Sequence, residues 1–176
     1  MNYKYLLICC LLLLGISCNQ QKESFPYADT TYTSSVFPKP VGFINDFDSI
    51  FSEDEETKLR KLVKIHEAAT TNQIAVVTIN DLKAYDNIEK YSLDLANYWG
   101  VGQKDKNNGV LIAIHKPGRK LWIQNGDGLV DKLTDAETSY IIQSKIIPEF
   151  KRNDYFKGVY RGIEAIIKEV NKVEND

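Results

Sequence analysis

Residues Gly109 to Gly126, GVLIAIHKPGRKLWIQNG, hold two apolar runs separated by Pro117-Gly118. Gly109–Lys116 and Arg119–Gly126 have the composition of strands, and a two-residue Pro-Gly break between them is a turn signal. The spacing predicts a β-hairpin in which Lys116 pairs with Arg119, so that Gly109 faces Gly126 and Asn108 faces Asp127. The end away from the turn then gathers Asp105, Asn107, Asn108, Asn125 and Asp127. Calcium takes six to eight hard oxygen ligands, and these short side chains in glycine-rich backbone suit it. The same residues are also what turns use, so a purely structural reading stands beside the metal one.

Working outward, Ser52 with Glu55 three residues later is a capping box opening a helix to about Ala69. Its inward stripe is Leu59, Leu62, Val63, His66 and Ala69. Gln73–Asn80, QIAVVTIN, is a β-branched run apolar on both faces, as in a buried strand. Asp86 with Glu89 predicts a second helix cap, with Ile88, Tyr91, Leu95, Tyr98 and Trp99 on one face and Gly100 as the stop. After the hairpin, Thr134 with Glu137 caps a helix carrying Ile141, Ile142 and Ile146, which Pro148 breaks near its end. A last helix runs from near Asp154 to about Val170. Helices packed on a small mixed sheet follow from this order.

The chain has 176 residues, enough for one domain and a tail. A formal net charge of −2 leaves no basic footprint for nucleic acid, so that class of partner is set aside. All three cysteines fall within the first 18 residues, which excludes a disulfide or a cysteine zinc site in the domain. Met1–Cys18 reads MNYKYLLICCLLLLGISC, with an apolar run from Leu6 to Leu14 too short to span a bilayer. It is similar to a bacterial lipoprotein signal in which residues 1–17 are removed and Cys18 is lipidated. An ordinary signal peptide cleaved near Ser17 is the other reading. Residues 19–40 hold three of the five prolines and no periodicity, and read as a flexible tether spanning roughly 25 Å. Its aromatics Phe25, Tyr27, Tyr32 and Phe37 are not assigned to the core.

Sharper motifs fail. Asp105–Gly109 matches an EF-hand loop only in part, because Gly109 comes one place early and Lys116 stands where the bidentate Glu belongs. Gly100-Val101-Gly102 follows a helix, the wrong order for a dinucleotide fingerprint. His66 and His115, the two histidines, read as a packing and a surface residue, and no nucleophile elbow surrounds any serine. Asp46 and Asp48 read locally as turn or capping residues.

The ordered runs VGFINDFDSIFSEDE, QIAVVTI, YWGVG, NNGVLIAI, IQNGDGL, LTDAE and IIPEFKRNDYFKGV resemble the TPM domain family, in its phosphatase-like, exported lipoprotein form. The resemblance covers about residues 41–170, and the domain is assigned to 41–172. It implies an α/β sandwich: a small central mixed sheet of about four strands, one hairpin included, between helices. It also implies calcium binding or acid phosphatase activity and a place in the cell envelope. Asp46, Asn107-Asn108-Gly109 and Thr134-Asp135 match its motifs, with Asn107 replacing a common Asp and Val130 a common Glu.

The metal set expected is therefore Asp46, Asp105, Asn107, Asn108, Asp127 and Asp135. Calcium ranks above magnesium, and the missing acidic residues weaken the site. Three functions are ranked: a calcium-binding, membrane-tethered module with an envelope protein partner; a metal-free adaptor; and a metal-assisted phosphatase. The last needs phosphate-directed cations, for which Lys104, Lys106, Lys132 and Arg152 are the candidates.

Overall fold

In the computed structural model, which describes residues 36–172, the hairpin forms in the expected register. Strand β3 (Gly109–His115) runs antiparallel to β4 (Lys120–Asn125), with Val110 opposite Asn125 and His115 opposite Lys120. The turn occupies Lys116–Arg119, closed by the Arg119 N–H on the Lys116 carbonyl at 3.0 Å. Cys18, residues 1–17 and the tether up to residue 35 lie outside the described residues.

Two parallel strands extend the sheet. β2 (Gln73–Thr78) pairs with β3, and its six residues are all buried, as a two-faced apolar run requires. The fourth strand, which the pattern of residues alone did not single out, is β1 (Ile44–Asp46), parallel to β2 at the sheet edge. The order β1-β2-β3-β4 follows the chain.

Side-chain alternation splits the core in two. Ile74, Val76, Val110, Ile112, Ile114 and Ile123 face α1 (Glu53–Thr70), α3 (Asp135–Ile141) and α5 (Tyr155–Val170). Ala75, Val77, Leu111 and Ala113 face α2 (Ile88–Trp99). Small residues under α2 leave room for its large ones, Tyr91, Leu95, Tyr98 and Trp99. Both βαβ connections step one strand in the same direction but cross opposite faces, so they have opposite hands. One is the left-handed kind that parallel sheets rarely use.

Several expectations are corrected. The N-cap of α2 is Asn87, not Asp86: its side chain accepts the Lys90 N–H at 2.8 Å. Ala69 is exposed, so the inward stripe of α1 ends at His66. The break expected at Pro148 is present, near the end of the helix, as a π-helical turn. The π-helical segment (Ile142–Ile146) precedes the proline, the Ile147 N–H reaches back to the Ile142 carbonyl, and α4 (Ile147–Phe150) continues beyond. The wider turn absorbs the donor that proline lacks and rotates the following residues to a new face. Phe37 is not a bystander in the tether: it is buried against Tyr85, Tyr91 and Tyr98, and the Trp99 indole N–H donates to the Pro38 carbonyl at 2.8 Å.

Candidate functional site

The loops before β3 and after β4 interlock at the end of the sheet where β2 and β3 begin. The Gly126 N–H donates to the Gly109 carbonyl at 2.8 Å and the Gly128 N–H to the Asn107 carbonyl at 3.1 Å. No side chain fits between these strands of backbone. A Cβ on Gly109 would lie 2.2 Å from the Val101 carbonyl oxygen, and one on Gly128 1.8 Å from that of Lys106. Asn107 itself takes a left-handed φ of 46°, a conformation that asparagine tolerates better than most residues. The result is a cleft of about 250 Å³ bordered by Asn107, Gln124, Asn125, Gly126 and Asp127, with Leu93, Ala96 and Asn97 of α2 on the far side.

Asn107 and Asp127 thus meet, as the hairpin register requires, while the other expected ligands scatter. Asn108 is buried and already committed. Its Oδ1 accepts the Gln103 N–H at 2.8 Å, and its Nδ2 donates to the Thr71 carbonyl at 3.0 Å and to Asn72 Oδ1 at 3.1 Å. It clasps this loop to the end of α1. Asp105 is exposed on the loop, and Asp135 is exposed in the first turn of α3. Neither borders the cleft. Asp46 stands at the opposite end of the sheet, paired with Thr78 where β2 finishes. Its Oδ1 accepts from Thr78 Oγ1 at 2.6 Å and its Oδ2 from the Phe51 N–H at 2.7 Å, so both oxygens hold the β1–α1 loop closed. The neighbouring Glu56 carboxyl is raised by its own burial and then by the Asp46 charge.

Among the described residues, no three His, Cys, Asp or Glu side chains come together as a metal-binding group. What this end does offer is oxygen chemistry: the Asp127 carboxylate, the Asn107 side chain and crowded main-chain carbonyls. The Asn125 side chain adds an orphan. Its Nδ2 donates to the Leu133 carbonyl at 3.1 Å and to Thr138 Oγ1 at 2.8 Å, whereas its buried Oδ1 has no partner among the described residues. A donor set this poor in charge fits only a weak calcium site.

Two of the four cations considered for a phosphate are turned to other partners. Lys106 Nζ donates to Thr71 Oγ1 at 2.9 Å, and Arg152 pairs with Glu149 at 3.4 Å. Gln73 was missed by sequence reasoning. Buried at 5% exposure, its Oε1 accepts the Gly102 N–H at 2.8 Å and its Nε2 donates to Glu67 Oε1 at 3.0 Å. A glutamine opening an otherwise apolar buried run was the available signal, because a buried amide needs partners.

No curated protein matches the chain. Among solved structures it is similar to the N-terminal domain of a P. gingivalis protein, at 27% identity and a TM-score of 0.67, covering 73% of this chain and 82% of that one. The BA42 protein of the psychrophilic bacterium Bizionia argentinensis follows at 18% identity and a TM-score of 0.62, over 70% and 83% of the two chains. The N-terminal domain of the cg2496 protein of Corynebacterium glutamicum shares 16% identity with a TM-score of 0.58, over 86% and 94%. The last two show likeness of fold alone. The TPM domain model matches residues 44–169, nearly all of the described fold, and the chain belongs to the TPM domain family.

Proposed function

We propose that this TPM domain is an extracytoplasmic binding module, tethered to the bacterial envelope through a lipid on Cys18, whose interlocked loop end takes calcium and meets an envelope protein partner. The observation that carries the calcium reading is the pair of backbone bridges that bring Asn107 and Asp127 to one cleft. Among the described residues Asp127 is the only carboxylate bordering that cleft, so the affinity belongs to the range of about 10⁻⁴–10⁻³ M found in extracellular modules. Such a site serves a compartment where calcium is abundant, and it stiffens loops rather than sensing a signal. The metal-assisted phosphatase ranks lower, because Lys106 and Arg152 are turned to other partners and Asp46 is at the far end of the sheet.

Thermal unfolding of the metal-stripped full chain tests this. At about 5 mM calcium and a dissociation constant of about 1 mM, mass action adds roughly 1 kcal/mol, a rise of several degrees. Magnesium gives less, and Asp127→Asn removes the calcium rise. Identical melting with and without calcium sinks the metal reading and leaves a metal-free adaptor.

A further inference from the structure

A cavity of about 510 Å³ lies at the other end of the sheet. It opens between the hairpin turn and the α4–α5 junction, and its border combines two chemistries. Ile114, Leu121, Ile147, Phe150 and Tyr155 make an apolar wall, while Lys116, Arg119, Lys120 and Lys151 supply four cations. Among the described residues no carboxylate borders it.

These cations are also unneutralised: among the described residues, none of the four meets a carboxylate within ion-pair distance. Acids in the surrounding segments are spoken for: Asp81, within electrostatic reach of His115, pairs with Lys83 at 3.1 Å. Glu149, only 2% exposed, receives Arg152, Lys157 and Arg161. The Asp154 side chain caps α5 by accepting the Lys157 N–H at 3.0 Å. Residues 116–120 and 149–161 together hold seven cations and two carboxylates, a net charge of +5, so the rest of this chain carries −7. Evolution of a merely soluble surface does not require that segregation, whereas binding an anion does.

We infer that this cleft binds the headgroup of an anionic phospholipid, with the phosphate among Lys116, Arg119, Lys120 and Lys151 and the adjoining apolar part of the lipid against Phe150 and Tyr155. Three observations select a lipid over a free phosphate. An inorganic anion has no use for five apolar side chains. The Lys116 ammonium lies 5.2 Å from the centre of the Tyr155 ring, so charge and apolar wall are in contact rather than on separate patches. Finally, Val36–Pro38, where the preceding 35 residues join the domain, border a cavity with Thr78–Asp81, at the same end of the sheet as the hairpin turn. With the Cys18 tether proposed above, on which this last point rests, the chain coming from the membrane joins the domain at the end where the cleft lies. The inference does not depend on calcium at the opposite end.

Lysine acetylation followed by mass spectrometry tests it on the full chain. In phosphatidylcholine vesicles containing about one third phosphatidylglycerol, labelling of Lys116 and Lys151 is expected to fall at least threefold relative to phosphatidylcholine alone. Lys61 and Lys132 keep their rates. Arg119→Gln combined with Lys151→Gln restores Lys116 labelling without moving the melting temperature. Equal protection of Lys61 and Lys132 overturns the site in favour of a diffuse charge effect. The same protection from inorganic phosphate added to phosphatidylcholine vesicles overturns the lipid in favour of a free anion. No protection in any arm overturns both.

Discussion

Where β2 and β3 begin, glycines and main-chain carbonyls set the geometry; where those strands finish, long cationic side chains do. At the first end Gly109, Gly126 and Gly128 sit closer to carbonyl oxygens than any Cβ allows, and Asn108 ties the loops to α1 with its whole amide. At the second, Lys116, Arg119, Lys120 and Lys151 reach into solvent around an apolar hollow. A backbone-built end has fixed shape and little charge to offer, which suits weak coordination by carbonyls. A side-chain-built end has charge and freedom, which suits a large anionic partner. The two ends therefore differ in what a substitution does: one breaks the fold, the other changes what binds.

Gly109→Ala is the strongest test of that contrast. Its new methyl meets the Val101 carbonyl group, which is backbone and cannot swing aside, so a loss of about 3 kcal/mol or more is expected. Circular dichroism would show the melting temperature falling by roughly 10 °C or more. Asn108→Ala comes next, at about 2 kcal/mol, because it leaves the Gln103 N–H and the Thr71 carbonyl without their partner. Amide exchange should locate the loosening at residues 101–109 and spare the hairpin turn.

Acid sharpens the comparison by acting on the first end. His66 is buried on α1 one turn before Thr70 and Thr71, and burial lowers its pKa below the ordinary 6.5. The unfolded chain then binds its proton first. The stability tied to the neutral ring is complete above about pH 6.5 and is lost as pH falls through the lower folded value. His66→Gln should flatten this part of a stability–pH curve measured by urea unfolding; an unchanged slope would assign the acid response elsewhere. The smallest effect belongs to the second end. The three atoms nearest a Cβ on Gly118 all belong to the His115 ring, the closest at 2.5 Å, a side chain rather than backbone, so Gly118→Ala should cost no more than about 0.5 kcal/mol. A large loss there would erase the distinction between the ends.

Much of this was legible in the sequence where local rules act alone. The hairpin register followed from one turn, and both capping boxes, at Ser52 and Thr134, formed as their spacing required. The three-residue β1 was not legible from its own pattern, because Ile44-Asn45-Asp46 is too short for alternation and owes its state to pairing with Val76–Thr78. The candidate site was legible only in part. Register brought Asn107 and Asp127 together, but no spacing rule reveals that Asn108 spends its amide on α1 or that Asp46 belongs to the far end. The cationic cleft was hidden for another reason. Its residues come from 114–121 and 147–155, and the π segment sets the face that Ile147, Phe150 and Lys151 present.

The agreement between strand order and chain order bears on how the protein is made. Each strand, as it leaves the ribosome, can dock on the edge of the one before it, and none must be slotted between two already paired. The side of the sheet under α2 has all its buried residues by Ala113, with Trp122 packing against it soon after. The other side waits for Ile163, Ile166 and Val170, close to the end of the chain. For the time needed to synthesise about fifty residues, a nascent chain is thus finished on one face and still greasy on the other. That interval is when a chaperone has something to hold.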